Sequence, residues 1–224
     1  MQELWTHSTN LIESALAAGR SQSVLTCSFQ LEDMVVLHMV LPLAPRIPVI
    51  FLDTGYHFPE VYAYRDAMAR AWNINLVNVE PSLSVAEQEA QFGVLYRTEP
   101  DRCCRLRKVE PLMRALEPFD LWLTGLRREQ SPSRANLQIE ETQRLPSGKT
   151  IRKINPLAEW TWTDVTAYAL AHDISPLPLY QQGYTSIGCA PCTTLPQDPS
   201  NPRSGRWGGR KLECGIHTFG ATRS

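Results

Sequence analysis

The chain predicts an α/β fold: a parallel twisted sheet with helices on both faces and an extended C-terminal tail. Three observations carry that prediction. Short apolar runs such as VLTCS, VIFLD and LWLT alternate with longer stretches of helical spacing. At 224 residues, 43% of them hydrophobic, the chain can bury both faces of such a sheet. From Ser175 onward proline, glycine and serine dominate, which favours extended backbone over further layers.

The elements follow in order. Leu11, Ile12, Ala15 and Leu16 recur at helical spacing and stop at Gly19, giving a first amphipathic helix. Val24 to Ser28 reads as a short buried strand, FQLED leads out of it, and Met34 to Leu41 is helical. Val49 to Asp53 is a second strand; after TGYHF a helix opens at Pro59, whose fixed φ suits the first helical position. Ile74 to Val79 is the third strand and Leu121 to Thr124 the fourth, the latter after a helix bearing adjacent cysteines. Ile151 to Ile154 adds a strand and Thr163 to His172 a helix, and the tail is expected to fold back over the sheet edge. No internal repeat interrupts this series. In such sheets ligands bind beyond the carboxyl ends of the strands, where the loops after Cys27, Leu52 and Thr124 gather.

Composition excludes several classes. A net charge of −1 argues against a general nucleic-acid coat. The most apolar stretch, Met34 to Leu52, is broken by His38, Pro42, Pro45, Arg46 and Pro48, so no membrane span is expected. The opening MQELWTHSTN has no basic region followed by an apolar run and cleavage site, and a cytoplasmic protein with reduced thiols is expected. The cations are grouped: Arg102, Arg105, Arg107 and Lys108; Arg127, Arg128 and Arg134; Arg203, Arg206, Arg210 and Lys211. Such grouping suits a small, highly charged anion.

The six cysteines fall into patterns. Cys103 and Cys104 are adjacent in DRCCRLRK, Cys189 and Cys192 form GCAPC, Cys214 stands alone in RKLECGIH, and Cys27 lies in an apolar run as a buried, inert thiol. Two separated pairs supply the thiolates that hold an iron–sulfur cluster or a structural zinc ion. Adjacent ligands strain a single zinc site, whereas a cube spreads its corners over separate irons. Cys214, flanked by Lys211 and His217, has the cationic surroundings of a nucleophile. The loop from Ser28 through Glu32 and Asp33 follows a strand and opens a helix, where backbone N–H groups suit a phosphate. Asp53, Thr54 and Gly55 form a second strand-to-loop segment in the same expected crevice.

Taken with GLRREQSPSRA, these segments resemble the assimilatory adenylyl-sulfate (APS) and phosphoadenylyl-sulfate (PAPS) reductases from about Ser28 to His217. The KxECGxH pattern and the two cysteine pairs point to the iron–sulfur branch, mainly APS reductases. The resemblance implies an adenine nucleotide α-hydrolase-like fold, a [4Fe–4S] cluster on Cys103, Cys104, Cys189 and Cys192, and Cys214 as nucleophile. It implies reduction of adenosine 5′-phosphosulfate to sulfite and AMP through a cysteine S-sulfonate. Thioredoxin or glutaredoxin would act in trans, since no fused redox domain is read up to Ser224. Arg203 and Arg206 match the family's sulfate and phosphate contacts, Arg127 or Arg128 joins them, and Lys108 in CCxxxK links cluster and substrate. Lys211 flanks the nucleophile, and His217 is expected either to assist the thiolate or to satisfy a structural hydrogen bond. Residues 1–185 then form a nucleotide-binding domain and 186–224 a segment carrying both CxxC and nucleophile. Asp198 to Gly209 gives that segment the compliance of a lid. Alternatives are a PAPS or dual-specificity reductase, an ATP-dependent sulfur transferase (against which SFQLED stands in place of SGGxDS), and a non-catalytic iron–sulfur sensor. Oligomeric state, a homo-oligomer included, is left open.

Overall fold

A computed structural model describes residues 2–18, 22–198, 201–209, 211 and 213–217. Arg210, Pro199 and Ser200 of the cation and lid expectations therefore lie outside the described residues. A six-stranded sheet organises the chain in the order β3-β2-β1-β4-β6-β5. Its strands are β1 (Ser23–Thr26), β2 (Val49–Leu52), β3 (Leu76–Val79), β4 (Leu121–Leu123), β5 (Glu140–Arg144) and β6 (Thr150–Ile154). All neighbours are parallel except β5, which runs antiparallel to β6 with Glu140 opposite Ile154 and Arg144 opposite Thr150.

Both faces are covered, as an apolar, mainly parallel sheet requires. On one face α1 (Gln2–Ala18), α2 (Leu31–Val40), α3 (Pro59–Ala71) and α8 (Trp162–Ala171) pack on Leu25, Val49, Phe51, Leu123 and Ile154. On the other, Leu112 and Leu116 of α7 (Glu110–Leu116) pack on Val24, Ile50, Trp122 and Ile151. Between β3 and α7 run α4 (Val85–Phe92), α5 (Leu95–Thr98) and α6 (Pro100–Cys104), then a π-helical turn at Arg105–Val109. A capping box closes the start of α4, with Ser84 Oγ accepting from Glu87 N and the Glu87 carboxylate accepting from Ser84 N.

Three expectations need correction. The strands end earlier than read, so Ser28, Asp53 and Thr124 stand in loops rather than in strands. Strand β5 was not foreseen; its sequence EETQR has no apolar alternation because it is an edge strand stitched to β6 by a turn. The C-terminal segment folds over the carboxyl ends of the strands, not over the sheet edge: Arg203, Arg206, Cys214 and His217 share a cavity with Ser28 and Thr124.

Candidate active site

Strand β1 is flanked by β2 on one side and β4 on the other, so the connections leaving β1 and β4 diverge at their carboxyl ends. A cavity of about 710 Å³ opens there. Its floor is the loop from Ser28 into α2. The backbone N–H and hydroxyl of Ser28 both donate to Asp33 Oδ2 at 2.6 Å. Phe29 has φ 60°, and its ring is buried against Phe51 and Tyr64. That buried ring anchors a backbone conformation non-glycine residues seldom adopt. Burial raises the Asp33 carboxyl to about 6 against the opposing hydrogen bonds from Ser28. A Cβ on Gly125 would lie 2.4 Å from Asp33 Oδ1, so only glycine lets the β4 loop pass this carboxylate.

Glu32 lines the cavity with its carboxylate already engaged. Its Oε1 accepts from Arg127 Nη2 at 2.9 Å and from Gln130 Nε2 at 3.0 Å. Arg127 also donates to Glu129 and to the Trp160 carbonyl, which makes it a buried brace lining the wall. Arg128 points elsewhere, donating to Glu159 and to the Leu137 carbonyl outside the cavity.

Opposite the floor, Lys108, Arg203, Arg206 and Cys214 line the same cavity. Arg206 is 4% exposed, with Nη1 donating to Thr193 Oγ1 at 2.5 Å and its guanidinium over Trp207 at 4.5 Å. It presses on Gly188, where a Cβ would come within 2.1 Å of Nη2. Burial lowers its pKa, although the thiols of Cys189, Cys214 and Cys192 pull the other way. Arg203 is brought to about 10 by burial and by neighbouring Arg134. Lys108 is held as an ammonium: burial opposes its charge, but Cys189, Cys214 and Cys104 outweigh that and raise its pKa.

Behind this wall a second, small pocket is lined by Cys103, Cys104, Cys189 and Cys192 together with Lys108, Arg107 and Arg206. Cys103 is raised to about 11 by burial and then by Cys104, Cys189 and Cys192. Cys192 is likewise raised to about 11 by burial, Cys189 and Cys104. Arg107 ties the pocket's back wall together by donating to the Thr54 carbonyl and, at 3.1 Å, to Gln88. Thr54 Oγ1 lies 3.3 Å from Cys189 Sγ. Among the described residues no group of three or more His, Cys, Asp or Glu side chains is arranged to hold a single metal ion.

The structure thus brings Ser28, Glu32, Asp33, Lys108, Arg127, Arg203, Arg206, Cys214 and His217 to one cavity. It does not bring Asp53, Thr54, Gly55, Arg128 or Lys211 there. Asp53 instead accepts from Gly55 N and from the Tyr62 hydroxyl, closing its own turn. Lys211 donates to Asp101 Oδ1 at 2.5 Å and covers Trp207. His217 is stacked on Trp122, ring centroids 5.5 Å apart and planes 17° apart. Burial, then Lys153, Arg134 and Arg203, drive its pKa well below the usual range, so its ring is neutral. Cys27 lies beneath the loop at 2% exposure, its thiol pushed up by burial and by Asp33.

Sequence reading missed His57, Gln30 and Trp162 as lining residues. His57 bonds the Leu52 carbonyl at 2.9 Å and is lowered to about 4 by burial and by Lys108. Its place in TGYHF, directly after a strand, was the available signal.

Residues 22–195 match the family described as the phosphoadenosine phosphosulfate reductase domain. The chain belongs to that family. Among relatives, the adenosine 5′-phosphosulfate reductase of Rhodococcus opacus (strain B4) is 42% identical over 215 residues, covering 95% of this chain and 85% of that protein. The enzyme of the same name from Mycobacterium tuberculosis (strain ATCC 25618 / H37Rv) is 44% identical over 201 residues, covering 86% and 77%. The solved PAPS reductase of Candida auris, a phosphate complex, superposes with a TM-score of 0.70 at 29% identity, over 87% of this chain and 98% of that one. An FMN adenylyltransferase from Candida glabrata shares the fold alone, with a TM-score of 0.61 at 14% identity over 93% and 75% of the two chains. The reductase-family chain therefore has the adenine nucleotide α-hydrolase-like architecture expected from its motifs.

Proposed function

We propose that this chain reduces adenosine 5′-phosphosulfate to sulfite and AMP, with Cys214 as the nucleophile. One observation carries the reading: Cys214 faces a nucleotide-sized cavity whose wall holds Lys108, Arg203 and Arg206 and whose floor is the N-terminal end of α2. The Cys214 thiolate attacks the sulfonyl sulfur, the sulfur–oxygen bond to the phosphate breaks, and AMP leaves with the electron pair. A dithiol of the thioredoxin or glutaredoxin kind then attacks Cys214 Sγ. Sulfite departs with the electron pair of the sulfur–sulfur bond, leaving a mixed disulfide. The second thiol then attacks the reductant's own sulfur in it, which frees the Cys214 thiolate and leaves the dithiol as a disulfide. Both nucleophile and substrate are anionic, so the cations lower the repulsion between them and stabilise the charge shifting onto the phosphate. The arginines suit planar oxyanion contacts, and Lys108, between the cavity and the thiol pocket, adds a point charge.

The thiols of Cys103, Cys104, Cys189 and Cys192 fit a [4Fe–4S] cluster, because four soft thiol donors from two separate segments line one small pocket beside Lys108, Arg107 and Arg206. When bound, such a cluster supplies a fixed charge behind Lys108 and a covalent tie between α6 and the 189–192 turn. Residues 1–185 would then bind nucleotide and 186–224 deliver the nucleophile.

Anaerobically purified protein given the substrate and thioredoxin is expected to release sulfite and AMP in equal amounts. Without reductant, it should accumulate a sulfonate on Cys214. Cys214→Ser should bind nucleotide and form neither. Turnover by that variant, or ATP-dependent pyrophosphate release without sulfite, would overturn the reading.

A further inference from the structure

Glu213 immediately precedes the cysteine, and its carboxylate is saturated with donors. Arg134 grips it as a fork, Nε to Oε1 at 2.9 Å and Nη2 to Oε2 at 2.8 Å. Ser131 and Ser133 hydroxyls add bonds to Oε1 at 3.1 and 2.9 Å, and Arg203 Nη2 lies 3.5 Å from Oε2. Arg134 is itself fixed, donating from Nη1 to Gln130 Oε1 at 2.5 Å, while Gln130 Nε2 reaches Glu32 at 3.0 Å. A line of hydrogen bonds thus runs from the first turn of α2, under the proposed nucleotide site, to the residue beside Cys214. Past Gly209 side chains hold the segment: Lys211 on Asp101, Glu213 in its fork, and His217 on Trp122.

We propose that Glu213 is a positioning residue, a carboxylate catch that seats the C-terminal segment on the Ser131–Arg134 turn and holds Cys214 at the cavity. The inference rests on Cys214 being the nucleophile and goes beyond that reading by naming what aims it. Cα atoms of adjacent residues are about 3.8 Å apart, so a carboxylate fixed by a planar fork restricts where the next sulfur can go. Burial alone would raise the Glu213 carboxyl, but Arg134, Arg203 and Ser133 carry it down to about 2. The catch therefore stays ionised from mildly acidic pH upward.

The test uses anaerobic, cluster-loaded protein and separates aiming from folding. For Glu213→Gln we expect unchanged cluster absorbance and AMP affinity. Single-turnover S-sulfonation should slow by roughly 100-fold, the scale of a reacting atom misplaced by about 1 Å. Alkylation of Cys214 by a bulky maleimide, with no nucleotide present, should instead quicken about tenfold as the segment opens, the scale of one or two lost charge-assisted bonds. Arg134→Gln should behave alike, and the double variant should be no worse than either single one. The milder Ser131→Ala/Ser133→Ala pair should give a smaller shift of the same two readouts and guards against a misfolded single variant. Unchanged alkylation and S-sulfonation in Glu213→Gln, or additive losses in the double variant, would overturn the catch. If wild-type protein formed no sulfonate at all, the reaction assignment would fail instead, and the alkylation comparison would still decide the catch.

Discussion

At the scale of single residues, close contact decides more than charge count. Arg206 has the attributes of an oxyanion contact, yet its place is set by Gly188, Thr193 and Trp207 packed around it. Gly188→Ala adds only a methyl group, but that methyl would occupy the guanidinium's position. We expect the variant to fold and to keep the cluster thiols in place. It should lose about 100-fold or more in kcat/KM because a preorganised cation is displaced. Near-normal kcat/KM would show that Arg206 does not act on substrate. Asp33 makes a contrasting prediction. Its folded-state pKa, about 6, stands above the usual carboxylate value because of burial, so its ionised form weakens the fold. Its contribution is most favourable below about 4 and is lost as pH rises through about 6. Asp33→Asn should flatten the dependence of Tm on pH across that window; an unchanged slope there would mean another group titrates.

At the scale of elements, the thiol pocket depends on a departure from regular helix. The π turn at Arg105–Val109 follows directly on Cys103 and Cys104. It swings Arg107 inward onto the Thr54 carbonyl and Gln88, and Lys108 toward both cavities. Single-turn π bulges concentrate at functional sites. Cys103→Ser should strip the expected cluster, seen as loss of visible absorbance and of iron. Stability should fall as well, since thiolate ligation couples to folding. Stoichiometric zinc without acid-labile sulfide would refute the cluster. Legibility differed along these elements. Strands β2 and β4, and the central Val24 and Leu25 of β1, were readable because burial on both faces leaves little but Val, Ile, Leu, Phe and Trp. The helix bearing Cys103 and Cys104 was readable too, but the π turn, α4 and α5 were not: RLRKV has no sequence mark of widening, and partly exposed α4 buries only Gln88. The cysteine pairs were legible by spacing, whereas Thr54 was misjudged because its loop backs the thiols, a matter of which way a turn faces.

For the whole molecule, the division of charge across the cavity bears on which nucleotide is taken. The cysteine-pair pattern already pointed to a branch made up mainly of APS reductases; the physical reason for such a preference lies in how the cations are placed once the chain is folded. Arg127 is committed to Glu32 and Glu129, and Arg134 to Glu213. Arg152 pairs with Glu140 on the outer strands and does not line the cavity. Lys108, Arg203 and Arg206 cluster on the Cys214 side, with the thiols among their electrostatic neighbours. Elsewhere the cavity wall offers Trp162, Tyr180, Tyr184 and the carboxylate of Glu129, with Arg127 beside Trp162 already paired to Glu32 and Glu129. A 3′-phosphate placed on that aromatic side would meet a carboxylate, aromatic rings and a guanidinium already neutralised by two carboxylates, and an anion left without its own partner in a partly dry site is strongly disfavoured. A free 3′-hydroxyl carries no such penalty. We therefore expect kcat/KM with thioredoxin to favour APS over its 3′-phosphorylated relative by about 100-fold or more, on the scale of a buried unpaired group. Glu129→Lys, which places a cation on that side, should narrow the gap by raising the value for the 3′-phosphorylated donor. Equal or reversed values in the unaltered protein would instead make it a dual or PAPS enzyme, with the roles of Cys214 and the cysteine pairs untouched.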